Sequence, residues 1–138
     1  MSHFSIVKTE IKDRDALVLA LNEMNLAFEE DANHRLEMVT RWSGNDKHFA
    51  SLVVRGKTLD CGADVGFVYD AQNKSYKIIA DDWELQRSKI TDFRQKLIEE
   101  YSVQVFQRNG YRIVSRSVAA DGRMQIEVEP LATVQVRR

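Results

Sequence analysis

The sequence ITDFRQKLIEEYSVQVFQRNG, residues 90–110, decides the class of fold. Its apolar residues recur mostly at spacings of three and four, the period of one helical face. They are Ile90, Phe93, Leu97, Ile98, Tyr101, Val105 and Phe106. Ser88 or Thr91 is expected to cap the start, and Asn109-Gly110 to end the helix, because glycine accepts a positive φ. Residues 90–110 are therefore predicted to form a long amphipathic helix.

A second helix is predicted upstream, from Asp13 to about Met24. Asp13 offers a side-chain oxygen for the N-cap, and Asn25 can end the helix because asparagine tolerates the left-handed conformation. The apolar stripe of this helix consists of Ala16, Leu17, Ala20, Leu21 and Met24. Since two of these residues are alanines, the helix is expected to pack closely on whatever it covers.

The rest of the chain has the two-residue periodicity and the turn residues that are typical of strands. One strand is predicted at residues 2–10, and residues 26–30 are expected to be extended. Three hairpins follow, at 36–42 with 49–55, at 65–69 with 76–80, and after Gly110 around the turn Asp121-Gly122. Residues 56–62 are expected to be a loop.

This order predicts a single α+β domain over residues 1–138, an antiparallel or mixed sheet with two helices packed on one face. Two βαββ units, residues 2–42 and 76–129, are one way to divide it. Residues 130–138 are expected to be a flexible tail, with Val134 and Val136 extending an edge strand as the alternative.

The loop of the last hairpin decides which of its side chains share a face. A two-residue or four-residue loop places odd positions of the first strand, such as Ile113, with even positions of the second. Arg116 then lies near Gln125 and Glu127. A three-residue loop reverses the assignment.

Composition excludes several broad classes of protein. Twenty Lys and Arg residues balance 21 Asp and Glu residues, so the net charge of −1 gives no overall attraction to nucleic acid or to an anionic membrane. The single cysteine, Cys61, suits a reducing compartment. Because no apolar run approaches the ~18 residues of a membrane span and no signal peptide is visible, a cytoplasmic protein is expected.

The sequence motifs that could indicate catalysis or ligand binding are weak. Arg55-Gly56-Lys57-Thr58 resembles part of a phosphate loop, but Ser51 stands where that motif needs its first glycine. Cys61 has no histidine at a recognisable spacing, and the loop 62–66 is explained better by the conformational freedom of its glycines. We therefore predict no catalytic residue, no cofactor and no metal site.

Six residues are candidates for binding: Arg112, Arg116, Asp64, Asp81, Asp82 and Trp83. Asp81 and Asp82, with Glu84 nearby, can do acid–base work or bind a cation, but capping a helix N-terminus explains them more simply. Trp83 is either a surface anchor for a partner or, as is commoner for Trp, a core or helix-packing residue. Arg112 and Arg116 belong to a C-terminal arginine group that can contact RNA phosphates, although a solvated sheet face is favoured.

Several short motifs resemble one known family when they are taken in order. They are Met1-Ser2-His3-Phe4-Ser5, Asp64-Val65-Gly66-Phe67, Tyr76-Lys77-Ile78-Ile79 with the acidic pair after it, Glu100-Tyr101, and Gly110-Tyr111 followed by Asp121-Gly122. The family has no assigned function and is found in cyanobacteria, in the plastid genomes of some algae as a hypothetical reading frame, and in some cyanophages and other bacteria. The resemblance implies a cytoplasmic or stromal protein of a photosynthetic lineage, and it carries no catalytic or ligand residues.

Three functional hypotheses remain open at this point. The leading one is a non-enzymatic accessory protein that binds a protein partner or a second copy of itself through exposed sheet edges. The second is RNA binding through the C-terminal arginines. The third is a small-ligand site or enzyme at the loop Cys61–Gly66 together with Asp81 and Asp82.

Overall fold

The computed structural model describes residues 4–40 and 47–131. Within these ranges the helices and strands, in chain order, are β1 (Ser5–Lys8), α1 (Arg14–Glu23), β2 (Glu29–Glu30), β3 (Leu36–Glu37), β4 (Phe49–Ala50), β5 (Leu52–Val54), α2 (Gly56–Leu59), β6 (Val65–Asp70), β7 (Ser75–Ala80), α3 (Asp82–Gln86), α4 (Phe93–Arg108), β8 (Tyr111–Val118) and β9 (Met124–Pro130). The predicted α+β class is confirmed.

The largest element is an antiparallel five-stranded sheet in the order β1-β7-β6-β5-β2. Its centre is the hairpin of β6 and β7, as predicted from residues 65–80. β1 pairs with β7 from Ser5 opposite Ala80 to Lys8 opposite Lys77. The first and seventh strands along the chain are therefore neighbours in the sheet.

One face of the sheet packs against the two long helices. Leu52, Phe67 and Ile78 form a row across β5, β6 and β7, and all three are buried in the same cluster as the stripe of α1 and the inner face of α4. The predicted stripe of α1 is buried at Ala16, Leu17, Ala20 and Leu21. The packing of both helices on one face confirms the expected arrangement.

The other face of the sheet has a smaller core. Val53 and Ile79 lie on this side, where Met38 and Phe4 cover them. Gly66 lies between Val53 and Ile79 in the same row. A Cβ at Gly66 would approach the Ala50 Cβ to 2.9 Å and would overlap the Met38 side chain. Glycine is therefore required here because Met38 packs directly on the backbone of β6.

The predicted start and end of α1 are both confirmed. The Asp13 side chain accepts hydrogen bonds from the backbone N–H groups of Asp15 and Ala16, and Asn25 has a φ of 59°. The Tyr101 hydroxyl of α4 also accepts hydrogen bonds from the backbone N–H groups of Lys12 and Asp13, at 2.8 and 3.0 Å. This hydroxyl fixes the start of α1 against the middle of α4.

The long helix begins later than predicted. α4 starts at Phe93, neither Ser88 nor Thr91 caps it, and Asp92 precedes it in the left-handed conformation with a φ of 54°. Upstream, and separated from α4 by residues 87–92, lies the short helix α3, which Asp81 caps. The end of α4 agrees with the prediction, since Asn109 is its C-cap and Gly110 has a φ of 87°.

The first predicted hairpin is shorter and more divided than expected. β3 and β4 pair over two residues only, while β5 joins the main sheet between β2 and β6. Residues 56–62, expected to be a loop, contain the one-turn helix α2. Neither βαββ unit forms one sheet within the described ranges, because β3 lies apart from β1 and β2, and β8 and β9 lie apart from β7.

The C-terminal hairpin forms a separate two-stranded sheet, which we call the arm (β8 and β9). Near its base Ile113 pairs with Val128, as the odd-to-even prediction requires. The next pair is Ser115 with Glu127, so Val114 is an extra residue in β8, a β-bulge. Beyond the bulge, the odd-numbered residues of β8 lie on the face that the even-numbered residues occupy before it.

The bulge corrects the predicted position of Arg116. Arg116 lies opposite Ile126, and so it does not share a face with Gln125 and Glu127. The loop that joins the two strands consists of residues 119–123. Its five residues, like the three-residue alternative, reverse the faces relative to a two-residue or four-residue loop. A bulge of this kind cannot be recognised from a sequence in which apolar and polar residues alternate.

Some predictions fall outside the described residues. They concern residues 2–3 of the first strand, Trp42, the turn 43–46, and residues 132–138 with Val134, Val136, Arg137 and Arg138. Pro130, expected to begin a tail, belongs to β9, and the Leu131 N–H donates to the Gly110 carbonyl oxygen at 2.8 Å.

Candidate functional site

Asp64 is the most heavily bonded of the predicted site residues. Its side chain is buried, at 5% exposure, and accepts hydrogen bonds of 2.8 Å from the Val39 N–H, the Gly56 N–H and Arg55 Nη1. Its own N–H donates to the Val39 carbonyl oxygen. Asp64 therefore joins the segment after β3 to the end of β5, which is a structural role.

Arg55 completes this network. Its guanidinium makes two parallel hydrogen bonds with the Glu29 carboxylate, at 2.8 and 2.9 Å, and Nη1 also reaches the Glu37 carbonyl oxygen. The bonds to Glu29 and Asp64 raise the pKa of Arg55, and the same bond from Arg55 lowers the pKa of Glu29. The guanidinium is charged and makes four hydrogen bonds to protein groups, so it is poorly suited to hold a ligand.

An open depression of about 620 Å³ lies beside this network, with Lys57, Cys61 and Asp64 in its lining. Neither Asp81 nor Asp82 lines it. The Gly56 N–H, which a phosphate loop would direct at its ligand, donates instead to Asp64. The partial phosphate-loop motif is thus a structural turn.

The Cys61 thiol is partly buried and donates to the Ala63 carbonyl oxygen at 3.3 Å. The next residue, Gly62, donates its N–H to the buried Glu84 carboxylate at 2.7 Å. Through Glu84 the loop is attached to α3, the element that carries Asp81 and Asp82. The two halves of the small-ligand hypothesis are therefore connected by a structural hydrogen bond, and Asp81 and Asp82 lie outside the depression beside Cys61.

Asp81, Asp82 and Trp83 have three different surroundings. Asp81 is buried and caps α3 by accepting from the Glu84 N–H at 3.2 Å, while its other oxygen has no hydrogen-bond partner within 4–40 and 47–131. Asp82 is exposed and pairs with Arg94 at 2.9 Å. The capping explanation is confirmed for Asp81, although the capped helix is α3 rather than the long one.

Trp83 lies at the surface, at 42% exposure, so the core alternative is wrong. The Arg87 guanidinium lies over its ring, 4.6 Å from the centroid, in cation–π geometry. The indole is therefore partly covered by a neighbour on the same segment.

The two candidate arginines of the arm are both ion-paired. Arg112 pairs with Glu129 across the arm, and Arg116 donates to the Glu100 carboxylate of α4 at 2.7 Å. Arg116 is the charged contact that holds the arm on α4. Each positive charge is compensated by a carboxylate, which weakens the case for contacts with RNA phosphates.

The arm also shows a feature that sequence reasoning missed. Between it and α4 lies an open groove of about 760 Å³, whose apolar lining consists of Ile98, Phe106, Met124 and Ile126. On its exposed surface the arm carries Val114 at 49% and Val118 at 69% exposure. The alternation of apolar residues in 111–128 can be seen in the sequence. The sequence does not show that α4 would be the one helix that packs on the arm.

Two further findings concern the described part of the chain. No group of three or more His, Cys, Asp or Glu side chains there is arranged to hold a metal ion. No helix within it has the length and apolar character needed to cross a bilayer.

Comparison with known proteins identifies relatives but no activity. The model of a family described as "Protein of unknown function (DUF1257)" matches residues 20–127. The chain is 26% identical, over 141 aligned positions, to "Uncharacterized protein ycf35" of Cyanophora paradoxa, covering 94% of this chain and 97% of that protein. No solved structure matches the fold. The resemblance drawn from the sequence motifs is confirmed.

Proposed function

The chain belongs to the DUF1257 family of unknown function, and we propose that it is a non-enzymatic accessory protein that binds a protein partner through the arm. The observation that carries this proposal is that the arm is a separate two-stranded sheet. β8 and β9 pair only with each other, and no other strand within residues 4–40 and 47–131 pairs with either outer edge of the arm. A strand of another protein can add to such an edge.

The charges on β9 favour a partner that is a different protein. Glu127 and Glu129 lie two positions apart and so share a face of the strand. If two copies of β9 paired antiparallel about Val128, Glu127 of each copy would lie opposite Glu129 of the other. Like charges directly opposite are destabilising, whereas a strand with Lys or Arg at alternate positions would pair favourably.

The exposed valines of the arm lie on β8, the strand next to β9, and add apolar surface to the same two-stranded sheet. Val114 and Val118 are among the more exposed large apolar residues described. The bulge at Val114 also twists β8, which favours addition at the β9 edge. The partner is therefore expected to contribute a strand with basic residues on one face.

The test is affinity capture with the tagged full chain in cells of the source organism, followed by identification of retained proteins. The variant Val114→Asp/Val118→Asp changes the arm, and Val39→Asp is the matched control because Val39 is also exposed, at 58%, on another part of the surface. We expect a defined protein that the unchanged chain and the control both retain and the arm variant loses. Equal retention by all three, or retention of nothing, would contradict the proposal.

RNA binding is a separate outcome of the same experiment. If retained material is RNA, if it is lost steeply with rising salt, and if Arg112→Ala/Arg116→Ala abolishes it, the RNA hypothesis replaces this one. The cytoplasm, or the stroma in a plastid, is the compartment that we propose. This placement rests on the family resemblance and on the single cysteine.

A further inference from the structure

Helix α4 has a second apolar stripe that its contact with α1 does not bury. Phe93, Leu97 and Tyr101 face the core. Ile98, Ser102 and Phe106, one turn apart from each other, lie on another side, and Ile98 is 39% exposed. These three residues form what we call the outer stripe.

The outer stripe is a ridge between two hollows. The groove beside the arm, about 760 Å³, and a depression of about 470 Å³ on the other side of α4 are both lined by Ile98, Ser102 and Phe106. The second hollow is bounded by Glu10, Lys12 and Asp13 as well. A ridge flanked by hollows is the shape that packs against another helix, ridge into groove.

The stripe is symmetric about its small central residue. From Ser102 the large residues Ile98 and Phe106 lie four positions away in opposite directions. If two α4 helices cross antiparallel at Ser102, Ile98 of each copy meets Phe106 of the other. A two-fold interface requires this kind of self-complementary patch, and serine lets the two backbones approach.

The neighbouring positions obey the same symmetry without placing like charges together. Gln95 lies opposite Asn109 of the other copy, so two uncharged side chains meet there. Glu99, the acidic residue beside the stripe, lies opposite Val105. Because the net charge of the chain is only −1, long-range repulsion between copies is weak.

The size of the surface sets the strength of the contact. A 16-residue helix is ~24 Å long, and one helix width plus the two strands of the arm is ~20 Å across. The footprint is therefore about 500 Å² per copy, or about 1,000 Å² in total, at the lower end of specific interfaces. We propose that the outer stripe is the contact surface of a reversible homodimer, in which two α4 helices cross antiparallel at Ser102.

The dimer does not depend on the partner proposed for the arm, because the outer edge of β9 is not part of the stripe. The variant Ile98→Glu, which alters the stripe and leaves the arm unchanged, is expected to retain the partner of the arm as the unchanged chain does. Failure of one proposal therefore leaves the other standing.

Sedimentation equilibrium over a wide range of protein concentration tests the dimer. The unchanged chain is expected to dimerise with a dissociation constant on the order of micromolar. Ile98→Glu is expected to weaken dimerisation at least tenfold, whereas Leu19→Glu, at a similarly exposed position of α1, should not. A chain that stays monomeric at ~1 mM, or an Ile98→Glu variant that dimerises normally, overturns the proposal.

Disulfide crosslinking tests the crossing point independently. In a Cys61→Ser background, Ser102→Cys places a thiol on the two-fold axis, and Gln107→Cys places one at an exposed position of α4 away from it. Mild oxidation should crosslink the Ser102→Cys protein at least tenfold faster than the Gln107→Cys protein. Equal rates would mean that the copies do not cross at Ser102.

Discussion

Asp64 holds together segments of chain that lie far apart in the sequence. Its carboxylate accepts from Val39, Arg55 and Gly56 while being almost fully buried. An amide at this position keeps one acceptor oxygen but turns an NH₂ group toward another donor. Buried polar groups that lose their partners cost about 1–3 kcal/mol each.

We therefore expect Asp64→Asn to lower the free energy of unfolding by about 2 kcal/mol, measured by urea denaturation. Asp60→Asn is the control, because Asp60 is exposed in the same loop and its left-handed φ of 58° suits asparagine. The control should stay within about 0.5 kcal/mol of the unchanged chain. Equal losses in both variants would contradict the structural role given to Asp64.

Acid should remove part of the stability that the glutamates of β2 supply. The hydrogen bond from Arg14 lowers the pKa of Glu30 below its ordinary value of 4.5. A carboxyl whose pKa is lower in the folded state stabilises the fold above its unfolded pKa. That stability is lost as the pH falls through the folded value.

The expected result is a free energy of unfolding that falls as the pH drops below about 4.5. Glu30→Gln should lower stability at pH 7 and have a shallower dependence in this range, measured by urea denaturation from pH 7 to pH 3. Its curve should meet that of the unchanged chain at the acid end. Parallel curves would show that Glu30 has the same pKa in both states.

The sequence pointed to Asp64 as a candidate binding residue but did not indicate its structural role. The carboxylate was visible, but its partners Val39 and Arg55 lie 25 and nine positions away. The distance in sequence between bonded groups follows from how strands are arranged. No local spacing encodes it, so Arg55 appeared only as part of a weak phosphate-loop motif.

At the scale of single elements, the two long helices begin in different ways. The Asp13 side chain caps α1, whereas the Asp92 side chain makes no capping hydrogen bond to α4. Asp13→Ala is expected to cost about 1 kcal/mol, and Thr91→Ala, at a position first expected to cap α4, less than about 0.5 kcal/mol. Thermal unfolding checks both, and a larger loss for Thr91→Ala would contradict the assigned start of α4.

The helices were predictable in their interiors and less so at the start of α4. Apolar spacing identified both buried faces because burial on one side imposes the 3.6-residue period. The true start of α4 depends on Asp92 taking a positive φ, which asparagine and aspartate adopt only occasionally. The bulge at Val114 was invisible for a similar reason, since it changes the pairing and not the composition.

At the scale of the whole molecule, the arm should be the least stable part of the described fold. Its residues are largely exposed, and its packing is mainly on α4, whereas β6 and β7 are buried on both faces. Local opening is easiest where few apolar contacts are lost. The main sheet and the arm should therefore differ in hydrogen exchange.

We expect backbone amides of β8 and β9 to exchange faster than those of β6 and β7, by at least tenfold in protection. Native-state hydrogen exchange followed by mass spectrometry measures this, at a protein concentration low enough to keep the chain monomeric. Uniform protection over both regions would mean that the arm is an integral part of the main core.

The arrangement of the strands could not be read from the sequence. Hairpins between adjacent segments, such as β6 with β7, follow from turn residues and were predicted correctly. The pairing of β1 with β7 brings together segments about 75 residues apart, with most of the sheet between them in the chain. No turn or local spacing links these two segments, so the sequence did not predict that they pair.

This same pairing has a consequence for synthesis on the ribosome. At about 5–20 residues per second, β7 is made ~4–15 s after β1. During that interval β1 has no β7 to pair with, and its unpaired backbone N–H and C=O groups remain available to other nascent chains. Slower translation between residues 10 and 75 would lengthen this exposure, so codon choice in that part of the gene is expected to influence the yield of folded protein.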